Sequence, residues 1–289
     1  TSSGSFSLYT NTTGSCNTAT GYKALKLNTT ASYNTAVGVC ALVVNTTGAY
    51  NTSTGTYTLY TNTTGSNNTA SGAYTMVNTT TGSGNTASGY KAMLTSNSND
   101  NTATGYRSLY VNTTGHENTA FGKNAGDALD SGGNYNVFLG EEAGSAMASG
   151  TNNIAIGYGA FDAADAGEDD CIAIGNNALG NLNHASSVRN IAIGSGAMDY
   201  IAGIQGANQD NIFIGHDAGG GQWATAVSQY NIGIGSYAMY YQTTADNNVA
   251  VGHSASMCNV TGGANVAVGT HALKENTASS NTAVGFKAL

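Results

Sequence analysis

One glycine recurs at a nearly constant interval from end to end of the chain: Gly4, Gly21, Gly38, Gly55, Gly72, Gly89, Gly105, Gly122, Gly140, Gly157, Gly175, Gly194, Gly215, Gly235, Gly252, Gly269 and Gly285. The commonest spacing of these seventeen marks is 17 residues. Self-similarity at a short, constant period is the signature of a solenoid, in which each repeat packs only on its neighbours. Numbered from its first Asn, the repeat reads N-T/I-A-x-G-x-x-A-L-x-x-N-T-T-G-x-x. Asn34-Thr35-Ala36-Val37-Gly38 shows its first part, Ala41-Leu42 its middle and Asn45-Thr46-Thr47-Gly48 its last turn.

A helical repeat does not fit. A helix–turn–helix unit needs about 34 residues, and each internal glycine costs a helix about 1 kcal/mol relative to alanine. Positions 2 to 4 read instead as a short strand, with β-branched residues flanking a small one, as in Ile154-Ala155-Ile156 and Val249-Ala250-Val251. Positions 7 to 10, around the Ala-Leu pair, read as a second short strand. Turns fall at the recurring glycine and at the N-T-T-G segment. Like strands of successive coils then stack in parallel at about 4.8 Å. The expectation is an all-β chain: a parallel β-solenoid of about 17 coils, forming one continuous repeat domain over residues 1–289.

Small residues at positions 3 and 8 (Ala19, Ala36, Ala24, Ala41) with Leu or Met at position 9 (Leu25, Leu42, Met76) predict a thin core. The first Asn predicts a ladder of turn-stabilising side chains along the coils: Asn17, Asn34, Asn51, Asn68, Asn85, Asn101, Asn118, Asn136, Asn153, Asn190, Asn211, Asn231, Asn248, Asn265 and Asn281. Strand alternation sends positions 2 and 4 outward. They are mostly Thr or Ser in residues 1–120 (Thr18 and Thr20, Thr52 and Thr54) and Ile, Val or Leu almost throughout residues 121–289. An aliphatic ladder on an outer face calls for cover, and a thin coil gains from oligomerisation. Self-association about an axis parallel to the coils, as three chains, is the expectation.

The composition narrows the function classes. There are 40 glycines, no prolines and only 8% charged residues, against about 25% in an average protein. A formal net charge of −8 argues against a nucleic-acid binder and against docking on an anionic membrane. No apolar run is long enough to insert into a membrane as a helix. The sequence begins and stops inside a repeat, as a fragment of a longer fibre would. Cys16, Cys40, Cys171 and Cys258 form no C-x-x-C pair or disulfide pattern and read as small buried apolar side chains. Asn11, Asn28, Asn45, Asn62 and Asn112 all begin N-T-T. These match a glycosylation sequon, but their periodicity already has a structural cause as turn residues.

The coils Asn153-Ile154-Ala155-Ile156-Gly157 and Asn190-Ile191-Ala192-Ile193-Gly194 resemble head repeats of YadA-like trimeric autotransporter adhesins. The wording N-T-A-V-G-x-x-A-L, at Asn34–Leu42 and Asn281–Leu289, also resembles phage tail-fibre repeats. The resemblance covers essentially the whole chain. It implies a left-handed β-roll, a homotrimer, and an extracellular place on a cell surface or a virion. The commonest period here is longer than that of the adhesin heads, and no stalk or anchor is present in the sequence.

Catalytic chemistry finds little footing. His116, His184, His216, His253 and His271 lack metal-ligand spacing, and no histidine ladder is expected on adjacent coils. The acidic segment from Asp162 to Asp170 lacks the calcium-loop pattern. No G-x-S-x-G elbow or phosphate loop with a following helix occurs. No catalytic residue, cofactor or metal is expected. Three consecutive coils between Gly175 and Gly235 are lengthened. Their longer turns, at about 180–230, predict a raised edge carrying Arg189, Tyr200, Gln205, Trp223 and Tyr230, and insertions of this kind often map to a binding face. The functional expectation is a structural and adhesive fibre segment that contacts itself and a host-surface glycan or protein. Two alternatives stand beside it. The Thr ladder Thr18, Thr35, Thr52, Thr69, Thr86, Thr102 and Thr119 would suit an ice-binding solenoid. Carboxylates such as Glu141, Glu142, Asp199 and Asp217 would be needed by a fibre-borne glycan-active enzyme.

Overall fold

A computed structural model describes residues 1–164, 167–182, 186–199, 208–221, 228–242 and 244–289. The described residues form strands and turns and no helix. The chain divides into two compact units, Thr1–Asn136 and Val137–Leu289. The boundary falls where position 2 changes from Thr119 to Val137. The first unit carries β1 (Ser2–Ser3) and seven three-residue strands, from β2 (Thr18–Thr20) to β8 (Thr119–Phe121). The second carries nine three-residue strands, from β9 (Val137–Leu139) to β17 (Thr282–Val284). Within each unit successive strands pair in parallel with equivalent positions in register, Thr18 on Thr35 on Thr52 and Ile154 on Ile172 on Ile191. Each unit is therefore a parallel β-solenoid, with its strands where positions 2 to 4 were expected.

The second expected strand does not form. Positions 7 to 10 are a run of tight turns in which positions 7 and 9 are left-handed: Lys23 and Leu25 have φ of 58° and 49°, Tyr57 and Leu59 of 55° and 48°. The cause lies in the Ala-Leu pair. Ala24 and Leu25 are neighbours and both are fully buried, which the alternation of a strand forbids. Reversing φ at position 9 turns both side chains inward. Non-glycine residues at positive φ carry a strain of order 1–3 kcal/mol each, so burial and hydrogen bonding must offset it. Coil-to-coil bonds do persist here, from Leu25 N–H to Ala41 O (3.0 Å) and from Leu27 N–H to Val43 O (2.9 Å).

The core is one side chain thick. Position 3 and position 8 alanines and position 9 Leu or Met fill it, as in Ala36, Ala41 and Leu42, all fully buried. Two coils depart together at positions 3 and 9. Phe138 replaces the position 3 alanine, and Gly144 then stands at position 9, where a Cβ would come 2.3 Å from the Phe138 ring. Phe213 does the same with Gly219, where a Cβ would lie 2.8 Å from the ring. The next coil also yields to Phe213, for a Cβ on its Gly233 would come within 2.5 Å of the ring. Volume is thus conserved by trading residues within and between coils, as close packing demands. The recurring glycine at position 5 is required on two counts. At Gly55 φ is +139°, and a Cβ there would meet the Gly72 carbonyl oxygen at 2.4 Å.

Two asparagine ladders line the turns. In the first, the Oδ1 of Asn17 accepts the Asn34 main-chain N–H (2.9 Å), and that of Asn34 accepts Asn51 N–H (2.9 Å). Each Nδ2 donates to the carbonyl at the end of the N-T-T-G turn of its own coil, from Asn34 to Gly48 O (2.9 Å) and from Asn51 to Gly65 O (2.8 Å). The expected ladder therefore exists, but it ties side chain to main chain more than side chain to side chain. The second ladder is the N-T-T-G asparagine, where Asn28, Asn45 and Asn62 donate Nδ2 to Asn11, Asn28 and Asn45 at 2.7, 3.0 and 2.8 Å.

Candidate functional site

The raised edge is only partly described. Tyr200, Gln205 and Trp223, with His184, lie outside the described residues. Arg189 and Tyr230 lie within them, both at position 17 and both left-handed (φ 58°). Asp210 holds the same position on the coil between them. Arg189 is engaged there: Nε donates to Asp210 Oδ1 (2.7 Å), and Nη2 donates to Asp210 Oδ2 (2.9 Å) and Gln209 Oε1 (3.3 Å). The hydrogen bond from Arg189 holds the Asp210 carboxyl below its usual range. Tyr230 is exposed. The structure thus brings Arg189 and Tyr230 onto one edge but commits the guanidinium to a neighbour.

The remaining sequence candidates resolve as structural parts. Asn28, Asn45, Asn62 and Asn112 are fully buried and their Nδ2 groups are bonded. The folded coils therefore offer no sugar acceptor at these four. Cys40 and Cys171 are buried as expected, whereas Cys16 is exposed and Cys258 half-buried. Their side chains sit on turns at the coil surface, which the cysteine rule alone does not foresee. Cys171 stands in the first asparagine ladder, and burial pushes its thiol up to about 12. In the acidic segment, Asp169 Oδ1 accepts Thr151 N–H (2.7 Å) and Asp170 Oδ1 accepts from Asn152 Nδ2 (3.0 Å), so these carboxylates serve turns. Asp165 lies outside the described residues.

Sequence reasoning missed runs of aromatic rings in contact along positions 6, 7 and 10. In the first unit Tyr57 and Tyr74 stack at 5.5 Å, Tyr74 meets Tyr90 edge-on at 6.0 Å, and Tyr90 stacks on Tyr106 at 5.7 Å. Cations lie on these rings, Lys23 over Tyr22 at 4.9 Å, Lys91 over Tyr90 at 5.3 Å and Arg107 over Tyr110 at 4.2 Å. Arg107 also pairs with Asp127 at 3.0 Å. Burial raises the Asp127 carboxyl, an effect the guanidinium opposes. In the second unit the strip runs His216–Tyr237 (5.3 Å), Tyr237–His253 (6.1 Å), His253–His271 (5.5 Å) and His271–Phe286 (6.3 Å). The expectation of no histidine ladder is thereby corrected. Rings at positions 6 and 7 of adjacent coils reach one another, so the ladder alternates between two columns and escapes a search by position. Partial burial, then Lys274 and His253, depress the His271 imidazole.

The carboxylates named for a glycan-active site sit on the same positions of the second unit. Asp217 Oδ2 lies 3.3 Å from His216 Nδ1. Asp199 is raised by burial and accepts from Asn181 Nδ2 (3.1 Å). Among the described residues no three His, Cys, Asp or Glu side chains gather into a metal-binding group, and no helix is long and apolar enough to cross a membrane.

The outer faces of the strands differ between the units. Thr52, Thr69, Thr86, Thr102 and Thr119 form an exposed row in the first. In the second, Ile and Val occupy both outward columns from Ile154 to Val268, and single residues such as Ile234 remain 38% exposed. No family model, curated protein or solved structure matches the chain.

Proposed function

We propose that this chain is a segment of a structural and adhesive fibre, outside the cell or on a virion, and that it assembles as a homotrimer. One observation carries the reading: the two aliphatic columns of the second unit lie in register on an outward face, half-buried at most positions and exposed at Ile234, Val251 and Val268. Each such side chain gains about 25 cal/mol for every Å² removed from water, so a long ladder of them favours association with identical ladders. The repeated coil supplies reach at no cost in new folding information, since each coil needs only its neighbours. The resemblance to adhesin heads and tail-fibre repeats agrees with this reading.

The test compares one face in two units. Ile156→Asp places a charge among the aliphatic columns, whereas Thr54→Asp places one in a polar row. Sedimentation of the wild type is expected to give the mass of three chains. Ile156→Asp is expected to lower the concentration-dependent melting temperature markedly, and Thr54→Asp to leave it nearly unchanged. A monomeric wild type, or equal loss in both variants, would refute the assembly.

The exposed Thr row of the first unit favours a second reading, contact with ordered water at an ice surface. Thermal hysteresis that disappears in Thr69→Tyr would support it, and the absence of hysteresis in the wild type would remove it.

A further inference from the structure

We propose that the tyrosine–lysine strip of the first unit is a docking surface for an extended anionic polysaccharide. The proposal rests on the adhesive reading and names the chemistry of its partner.

The strip is defined by contact. Tyr57, Tyr74, Tyr90 and Tyr106 follow one another at 5.5, 6.0 and 5.7 Å, one ring per coil, and Tyr22, with Lys23 and Lys26, stands at the same positions two coils earlier, beyond the coil of Val39 and Cys40. The first and last pairs stack nearly parallel, at 6° and 16°. An aromatic ring is negative on its face and positive at its edge. In these two pairs the faces are turned on one another, and Lys91 lies over the face of Tyr90. What remains for solvent is ring edges, phenol hydroxyls and ammonium groups, and Tyr74, Tyr90 and Tyr106 are exposed. Hydroxyls that both donate and accept hydrogen bonds, beside positive charge, mark such a surface.

The charge distribution agrees. All five Lys and Arg residues of the unit, Lys23, Lys26, Lys91, Arg107 and Lys123, stand at positions 6, 7 or 10. Of its four acids only Asp127 shares those positions, and it is held by Arg107. Asp100 and Glu117 lie at position 17 and Asp130 at position 13. The coil geometry does not impose this bias, because in the second unit Glu141, Glu142, Asp162, Asp199 and Asp217 occupy the same positions.

The partner's form follows from the ladder. A row repeating once per coil suits a polymer that itself repeats, and the ring-to-ring step is close to the length of one sugar unit in an extended chain. A globular protein offers no such repeat. Duplex DNA carries one charge per about 1.7 Å of axis, which calls for a denser basic row than at most two cations per coil, with none on some coils. A sparsely charged uronate or sulfated glycan matches both the spacing and the charge.

The experiment uses the whole 289-residue chain on surfaces bearing a sulfated glycan, a polyuronate, neutral dextran or duplex DNA, at low and moderate salt. Binding to one or both acidic glycans, weakened by salt, with none to dextran, is expected. The triple variant Lys23→Gln/Lys26→Gln/Lys91→Gln, which keeps every ring, is expected to bind at least tenfold more weakly with unchanged circular dichroism. Tyr74→Ser/Tyr90→Ser is expected to weaken binding as well. Equal binding to dextran, preference for DNA, or an unaffected lysine variant would overturn the proposal. A chain that adheres to cells yet ignores acidic glycans would leave the adhesive reading standing and remove this one. A chain that binds neither would remove both.

Discussion

Phe213→Ala is expected to destabilise the second unit by about 3–5 kcal/mol, the usual loss for emptying a buried phenylalanine site. Most of that loss is expected to return when Gly219→Leu and Gly233→Ala are added. Alone, each of the added changes should destabilise. A Cβ at position 219 would come 2.8 Å from the Phe213 ring and one at position 233 within 2.5 Å, closer than packed atoms allow. Overpacking of this kind costs typically 1–3 kcal/mol. Backbone strain does not forbid the leucine. Gly219 has φ +60°, and Met198 and Met239, at the same position on the flanking coils, already adopt 50° and 53°. The triple variant rebuilds the Ala-and-Leu coil used elsewhere in the chain, with Ala192 and Ala250 in the same column. Urea melts of the single, double and triple variants measure the coupling. Simple additivity would show that Phe213 and the two glycines are independent, and the account of a conserved coil volume would fail.

The position 2 to 4 strands were legible because their period-2 pattern and the recurring glycine point to the same answer. The core was legible for the same reason, since Ala19, Ala24 and Leu25 are all fully buried. The second strand was misjudged because short apolar runs do not distinguish a strand from a turn by hydrophobicity. The signal that could have decided it is glycine at positions 7 and 9, as in Gly159, Gly196, Gly144 and Gly219, all at positive φ. Two adjacent buried residues, Ala and Leu, carried the same message. The aromatic strip escaped because its members change between positions 6 and 7, as from Tyr74 to Tyr90, so no single column is aromatic. The lengthened coils were legible in the glycine spacing alone. That Arg189 is neutralised by Asp210 was not, because the two stand 21 residues apart, outside the common 17-residue spacing.

The first asparagine ladder gives the other large expected effect. Asn68 is fully buried. Its Oδ1 accepts the Asn85 N–H at 3.0 Å, and its Nδ2 donates to the Gly82 carbonyl at 2.8 Å. Asn68→Ala leaves both partners buried and unpaired, at about 1–3 kcal/mol for each, so a total loss of roughly 2–6 kcal/mol is expected. Thr69→Ala, one residue away on the exposed face, should stay within about 0.5 kcal/mol. Asn68→Asp separates hydrogen bonding from volume. It keeps the shape and the acceptor but turns an oxygen toward the Gly82 carbonyl, so at neutral pH it should be at least as damaging as alanine. It should recover in part at low pH, where a protonated carboxyl can donate. The chain itself contains one natural break in the ladder, at Cys171. Its N–H donates to Asn153 Oδ1 at 2.9 Å as the pattern requires, but its Sγ stands 3.6 Å from the Ser187 carbonyl, where an amide would donate well. A thiol is a weak donor and a weak acceptor. Cys171→Asn is therefore expected to stabilise the second unit by about 1 kcal/mol. If Asn68→Ala costs no more than Thr69→Ala and Cys171→Asn yields nothing, the asparagines mark turn conformation alone and the ladder contributes no cohesion between coils.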